Sequence, residues 1–205
     1  MILHELGLKY GTDKANIHNF LNIYDERFKC LKDEKIDFLE IGIDNGFSLK
    51  MWSDYFVNAM IYGADILDKR FLDSEKIKTF IINQENESEL NLLPKNLDII
   101  VDDGGHTMYQ QQLSFKVLFQ KNLKHNGFYV LEDLHTSTQP YFSGYGSNEF
   151  NNTLNLLNDL KIGVFTSNSQ YYLSFLDWEN LYNMIEKIDI YENSNHSITS
   201  IIKKK

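Results

Sequence analysis

Two acidic pairs, each followed closely by a histidine, are the residues of this sequence best suited to chemistry. The first pair opens the run Asp-Asp-Gly-Gly-His at residues 102–106, and the second is Glu132-Asp133, with His135 two residues later. Adjacent carboxylates repel each other, and no Lys or Arg lies within several residues of either pair on its loop side. A cation would relieve this crowding, and oxygen ligands suit Mg²⁺, Ca²⁺ or Mn²⁺ better than zinc.

The histidines suggest proton transfer beside these acids. His106 can act as a general base near neutral pH, whereas we expect His135 to have a structural or supporting role. The alternative for the first run is a capped turn that carries a surface histidine.

A glycine-rich turn lies earlier in the chain, where Glu40 is followed by Gly42 and Gly46. Two such glycines let the backbone turn tightly and approach a ligand closely, and the next helix would present its N-terminal amides there. The spacing is not Gly-x-Gly-x-x-Gly, which disfavours a dinucleotide pyrophosphate. Glu40 suits a ligand with a cationic amino group, although a plain strand-to-helix turn would use the same residues.

Asp65 ends the next apolar run. An acid at this place in a nucleoside-binding α/β fold accepts both hydroxyls of a ribose. A helix-capping aspartate is the structural alternative.

Alternating apolar runs and amphipathic segments position these residues. Strands are predicted at residues 36–41, 60–64, 79–82, 97–101, 127–131, 188–191 and 198–202, the last two as a closing hairpin. Helices are predicted within residues 1–34 and at residues 48–57, 73–79, 108–121 and 176–187. This alternation indicates a parallel sheet covered on both faces. Ligands of such sheets bind at the carboxyl ends of the strands, where the acids and glycines fall.

Taken together, these residues resemble the class I methyltransferases that use S-adenosylmethionine. More narrowly, they are similar to the macrolide sugar O-methyltransferases of the mycinamicin and macrocin type, and to relatives named cephalosporin hydroxylases. The resemblance covers residues 7–135 and rests on Gly11-Thr12-Asp13-Lys14 with His18 and Tyr24, Glu40-x-Gly42-x-x-x-Gly46, Asp102-Asp103-Gly104-Gly105-His106 and Leu131-Glu132-Asp133. Two departures are Gly105, where the family usually has Ser, and Asn83-Gln84-Glu85, where it often has Asp, which leaves Gln84 as the candidate adenine contact.

The resemblance implies roles for the site residues. Mg²⁺ would be bound by Asp103, Glu132 and Asp133, with His106 as the base. S-adenosylmethionine would be bound through its methionine part by Glu40, Gly42 and Gly46, through its ribose by Asp65, and near its sulfonium by Asp102.

The fold and activity follow as expectations. We expect an α/β, Rossmann-like, seven-stranded, mostly parallel sheet with helices on both faces and an antiparallel last strand at residues 198–202. Residues 1–205 would form one domain, with 1–34 as an N-terminal helical cover and 136–160 as a substrate lid or loop. The activity would be Mg²⁺-assisted methylation of a hydroxyl on a sugar or glycan precursor.

Residues 135–160 lack a clear period and are predicted to form a long loop. Within it, residues 136–150 are expected to be a mobile lid that contributes to acceptor choice. Tyr141–Gly146 combine aromatics that stack on a ring with glycines that permit hinge motion. A disordered surface loop is the alternative.

Composition excludes several classes of function. The net charge of −9 argues against nucleic-acid binding, and Cys30 alone cannot form an intrachain disulfide or a Cys-based zinc site. No signal peptide or apolar run of the ~20 residues that a membrane helix needs is visible, so we expect a cytoplasmic protein without membrane insertion. A homo-oligomer, a nicotinamide oxidoreductase, and a non-catalytic nucleoside-binding or partner-binding module stay open as alternatives.

Overall fold

The computed structural model describes residues 2–146, 151–166 and 169–205. Its centre is a single seven-stranded sheet. The strands are β1 Asp37–Ile41, β2 Met60–Asp65, β3 Ile77–Ile81, β4 Leu97–Asp102, β5 Leu123–Leu131, β6 Ile185–Glu192 and β7 Ile198–Lys204. They pair in the order β3-β2-β1-β4-β5-β7-β6. The first five strands are parallel, and β7 is antiparallel to both β5 and β6, which confirms the predicted sheet.

Helices cover both faces of the sheet, as expected. The α-helices are α1 Leu3–Tyr10, α2 Asp13–Asn16, α3 Leu21–Phe28, α4 Phe47–Tyr55, α5 Glu87–Leu90, α6 Met108–Lys121, α7 Thr153–Ile162 and α8 Phe175–Met184. Short 3₁₀ turns occupy Lys29–Leu31, Arg70–Leu72, Leu134–Ser137 and Pro140–Tyr145. Helices α1, α3 and α4 pack on one face, and α5 to α8 supply the core of the other. Within the described ranges, no helix has the length and apolar character needed to cross a bilayer.

Aromatic rings pack together in the core beneath α1, α3 and α4. Trp52 of α4 lies 5.0 Å from Phe38 of β1, 5.9 Å from Phe56 and 6.3 Å from Tyr24, measured between ring centroids. Such contacts add to the stability gained from burying the rings. They also fix the N-terminal helices, which are helical as predicted, against the strand that ends at Glu40.

The last strand supports helix α6. The buried Lys204 Nζ donates hydrogen bonds to the carbonyls of Phe119 at 2.7 Å, Gln120 at 3.2 Å and Leu123 at 2.8 Å. The final carbonyls of a helix have no partner within it, so a lysine at this end satisfies them.

The predicted helix at residues 73–79 is wrong. Ser74 Oγ accepts from the Ile77 amide at 3.1 Å, and Asp73 Oδ1 accepts from the Thr79 amide at 2.8 Å. These side-chain bonds compete with helical ones, so the chain turns and enters β3 at Ile77.

The predicted loop over residues 135–160 is also wrong from Thr153 onward, where α7 begins. Asn152 caps this helix by accepting from the Asn155 amide at 2.7 Å. Gly163, with φ of +71°, ends it. Residues 147–150 of the expected lid lie outside the described residues.

Candidate active site

The turn after β1 brings the backbone close to the turn after β4. Gly42 has φ of +77°, and a Cβ there would lie 2.0 Å from the Asp103 carbonyl oxygen. Gly46, with φ of +75°, starts α4, and a Cβ there would lie 2.5 Å from Leu72 Cδ1. Both positions require glycine, because a side chain would collide with these neighbours. Packing therefore accounts for the two glycines of the turn.

A cavity of about 510 Å³ opens at the carboxyl ends of these strands. Gly42, Asp65, Asp103, His106 and Asp133 line it together, as the sequence predicted. Glu40, Gly46, Asp102 and Glu132 do not line it.

Asp65 holds the cavity wall in shape. Its carboxylate accepts from the Ile43 amide at 3.2 Å and from the Leu67 amide at 2.9 Å. The side chain remains partly exposed at the end of β2, so it can also bind a ligand.

The expectation for Asp102 needs correction, because its carboxylate lies in the protein interior. It accepts from Gln84 Nε2 at 2.9 Å, from Tyr129 OH at 2.7 Å and from the Ser114 hydroxyl. Neighbouring residues of a strand point to opposite faces, so Asp103 can face the cavity while Asp102 does not. Burial raises the pKa of Asp102 to about 6.

Gln84, the candidate adenine contact, is engaged within the protein. Besides its bond to Asp102, its Oε1 accepts from the Gly105 amide at 2.6 Å. Asp102 and Gln84 therefore act by shaping the turn after β4, although Gln84 still lines the cavity.

Lys14 is the site residue that sequence reasoning missed. This buried side chain on α2 places Nζ 3.1 Å from Glu132 Oε2 and 3.4 Å from Glu40 Oε1, and in direct contact with Asp103 Oδ2. Tyr24 OH donates to the other oxygen of Glu132 at 3.0 Å. The acid pairs, which have no Lys or Arg nearby in the sequence, therefore do have a basic partner from a distant segment. The only signal was the Gly-Thr-Asp-Lys motif, because Lys14 is 89 residues from Asp103 and 118 from Glu132.

Burial and the contacts of Lys14 set the pKa values of the acids at this site. Burial alone would lower the pKa of Lys14, but attraction to Asp103, Glu132 and Glu40 raises it well above its ordinary value, so Lys14 is charged. Burial raises the pKa of Glu40 to about 7 despite Lys14. Burial also raises the pKa of Glu132, and repulsion from Asp103 and Asp133 adds to this. Both shifts favour the protonated acids, so a cation that binds these carboxylates would release protons.

Three histidines surround Asp133, which follows β5 and has a φ of +54°. His106 Nε2 lies 3.4 Å from Asp133 Oδ2. On the other oxygen, Oδ1, His18 Nδ1 lies at 3.7 Å and His135 Nδ1 at 3.8 Å. Burial lowers the pKa of His135. Asp133 opposes this lowering, and repulsion from His18 and His106 adds to it. A neutral His135 fits the supporting role expected for it.

The acids fit a divalent, oxygen-preferring cation by their chemistry. Asp133 Oδ1 is buried and has no hydrogen-bond partner within residues 2–146, 151–166 and 169–205. In those same ranges, no three acidic, histidine or cysteine side chains converge closely enough to hold an ion as they stand. The Lys14 ammonium lies between Asp103 and Glu132.

An aromatic wall, which we define as Phe142 and Tyr145, adjoins the histidines. The ring centroid of Tyr145 lies 6.3 Å from that of His106, and Phe142 lies 5.2 Å from His135. The two wall residues lie 5.5 Å apart. Tyr141 is 88% exposed, and its ring meets that of Phe142 edge to face, with the centroids 5.0 Å apart.

Comparisons with known proteins agree with this geometry. No protein-family model matches the sequence. The chain is 32% identical over 169 residues to the 8-demethyl-8-alpha-L-rhamnosyl tetracenomycin-C 2'-O-methyltransferase of Streptomyces olivaceus, covering 78% of this chain and 44% of that protein. It is 35% identical over 155 residues to the L-olivosyl-oleandolide 3-O-methyltransferase of Streptomyces antibioticus, covering 70% of this chain and 39% of that protein.

A solved structure extends the likeness to the whole chain. The MycE methyltransferase of the mycinamycin biosynthetic pathway, in complex with Mg, SAH and mycinamycin VI, superposes with a TM-score of 0.81 at 27% identity. The match covers 100% of this chain and 54% of that one. This chain has the class I methyltransferase fold and is homologous to these sugar O-methyltransferases. This chain spans less than half the length of the two curated relatives.

Proposed function

We propose that this chain is an S-adenosylmethionine-dependent, Mg²⁺-assisted O-methyltransferase that acts on a hydroxyl of a sugar or glycan precursor. The observation that carries the proposal is the shared cavity, which has the ribose-type acid Asp65 on its wall together with Asp103, His106 and Asp133. The activities of the curated relatives, O-methylation of a rhamnosyl tetracenomycin and of an olivosyl-oleandolide, support it.

The glycine turn and Asp65 form the binding part of the site. S-adenosylmethionine would supply the methyl group and bind with its ribose at Asp65 and its methionine part at the turn of Gly42 and Gly46. Glu40 lies beneath this turn, where its Oε2 accepts from Ser48 Oγ at 2.7 Å. Its role is therefore to support the first turn of α4 and to hold Lys14.

The acids and the histidine form the reacting part. A divalent cation held by Asp103, Glu132 and Asp133 would orient the acceptor and lower the pKa of its hydroxyl. The sulfur–carbon bond breaks as the oxygen–carbon bond forms, and His106 Nε2 takes the proton of the hydroxyl. Asp133 stabilises the positive charge that His106 then carries. The aromatic wall offers a surface for a sugar ring.

An assay for S-adenosylhomocysteine release over glycosylated polyketides, sugar nucleotides and glycans tests the proposal. We expect turnover with Mg²⁺, none in chelator, and recovery when Mg²⁺ is restored. The variant Asp103→Asn should abolish turnover while S-adenosylmethionine binding, measured by calorimetry, persists. Binding of NAD in place of S-adenosylmethionine would support an oxidoreductase instead, and binding without turnover on any acceptor would support a non-catalytic module.

Further features of the proposal rest on composition and on the sheet. The net charge of −9 supports an acceptor other than nucleic acid. The free, exposed thiol of Cys30 suits a reducing compartment such as the cytoplasm. The single sheet supports one domain over residues 1–205, and a homo-oligomer remains compatible with it.

A further inference from the structure

Lys14 sits where the cation of the proposed site would have to bind. We propose that Lys14 and the divalent cation compete for Asp103 and Glu132, and that the ammonium moves to Glu40 when the cation binds. This inference rests on the metal site of the proposed function. It assigns Lys14 a positioning role, because it acts through the carboxylates.

The competition follows from the contacts of Nζ. The ammonium lies 3.1 Å from Glu132 Oε2 and contacts Asp103 Oδ2 directly. The Lys14 side chain is 1% exposed, so protein surrounds it and water cannot screen it. A divalent cation on the same oxygens would meet the ammonium at close range. Two positive charges there repel strongly, so one of them must leave.

Glu40 provides the place to which Lys14 can move. Its Oε1 lies 3.4 Å from Nζ, is buried and has no hydrogen-bond partner among the residues that the structure describes. The other oxygen is already bonded to Ser48. An unsatisfied buried acceptor is costly, and a short swing of the flexible lysine chain would satisfy it.

The arrangement also explains why the acids can stay together before a metal arrives. Buried carboxylates without a counter-ion destabilise a fold strongly. Lys14 supplies a temporary counter-ion from α2, and Glu40 keeps that charge within the site afterwards. The metal can then bind without expelling the lysine into water.

Calorimetric titration with Mg²⁺ alone tests the inference in the wild-type chain, Lys14→Met and Glu40→Gln. We expect Lys14→Met to bind Mg²⁺ about tenfold more tightly, because its competitor is gone, and Glu40→Gln about tenfold more weakly, because the ammonium loses its second partner. Lys9→Met is the control, because Lys9 makes an exposed ion pair with Asp54 at 2.9 Å. Its affinity should equal that of the wild type.

Thermal unfolding supplies a second measurement. Without metal, Lys14→Met should melt about 10 °C below the wild type, and Mg²⁺ should restore most of this loss. A purely structural lysine would lower Tm without changing the response to Mg²⁺. If Lys14→Met does not fold even with Mg²⁺, Glu40→Gln alone decides.

The outcomes separate this inference from the proposed function. Equal or weaker Mg²⁺ binding by a folded Lys14→Met, or unchanged binding by Glu40→Gln, overturns the inference and leaves the methyltransferase proposal intact. A wild-type chain that binds no Mg²⁺ overturns the inference and the metal-assisted part of the proposal. If the wild-type chain does not bind S-adenosylmethionine, that result alone overturns the methyltransferase proposal.

Discussion

His106 Nε2 lies 3.4 Å from Asp133 Oδ2, on the same cavity wall as Asp103. The contact joins the turn after β4 to the segment that follows β5, and it orients the imidazole. The backbone of Asp133, with φ of +54°, is in a sparsely populated conformation. A base held in this way can take a proton from a hydroxyl that enters beside the aromatic wall.

We expect His106→Ala to lower kcat by ~10²–10⁴-fold, the range for loss of a general base. S-adenosylmethionine affinity should change little, because the proposed cofactor contacts lie on the strands β1 and β2. Steady-state kinetics and calorimetry measure the two quantities. His125→Ala is the matched control, because His125 is exposed and its Nδ1 lies 2.8 Å from the Lys205 carbonyl oxygen, away from the cavity. A His106→Ala enzyme with wild-type kcat would exclude the base assignment.

Asp65→Ala should weaken S-adenosylmethionine binding by about 1.5–3 kcal/mol, the usual loss for a hydrogen bond to a charged group. The loss should persist in chelator, because Asp65 does not contact the metal acids. Calorimetry provides the measurement. Asp68→Ala, which removes an exposed acid paired with Arg70, should bind normally. Unchanged affinity for Asp65→Ala would rule out the ribose contact.

Tyr145→Ala and Phe142→Ala should raise the acceptor KM several-fold, because they remove the aromatic wall beside His106 and His135. The KM for S-adenosylmethionine should stay the same. Tyr141→Ala is the comparison from the same turn and should have a smaller effect, since its ring is 88% exposed and packs against Phe142 at the edge of the wall. If all three variants kept the wild-type acceptor KM, this segment would have no part in acceptor choice.

Lys204→Met should lower the free energy of unfolding by about 3 kcal/mol, because it removes the lysine donor from the buried carbonyls of Phe119 at the end of α6 and Leu123 at the start of β5. For a chain of this size, the loss corresponds to a fall in Tm of roughly 6–12 °C. Lys203→Met, the neighbouring control, loses only a surface pair with Glu186, worth about 0–1 kcal/mol. Equal Tm values for the two variants would contradict the capping role.

The sheet could be predicted because its strands are nearly continuous apolar runs, and such runs are visible without tertiary information. Helix α6 was equally readable, since Thr107 and Gln110 form a capping box with both bonds at 3.2 Å. Helix α7 had the same kind of signal in Asn152 and Gly163, but the surrounding polar residues suggested a loop. The prediction of a helix at residues 73–79 failed because the side chains of Ser74 and Asp73, just ahead of β3, accept hydrogen bonds from backbone amides of β3.

The site was only partly predictable for a different reason. Asp65, Asp103, His106 and Asp133 end or follow strands, and strand ends meet at one edge. The orientation of Asp102 depends on which face each residue of β4 presents, and the contact of Lys14 depends on a separation of 89 residues along the chain. Neither can be read from local spacing.

The N-terminal segment also touches the turn between β6 and β7. Asn193 Nδ2 donates to the His18 carbonyl, Asn195 Nδ2 donates to the Ile17 carbonyl at 3.0 Å, and His18 Nδ1 lies 2.9 Å from Ser197 Oγ. These contacts span up to 179 residues of sequence. During synthesis on the ribosome, Ile17 and His18 therefore cannot make these contacts until the last hairpin has emerged. The N-terminal segment is fixed late in folding, and contacts of such long range make this step slow compared with helix formation.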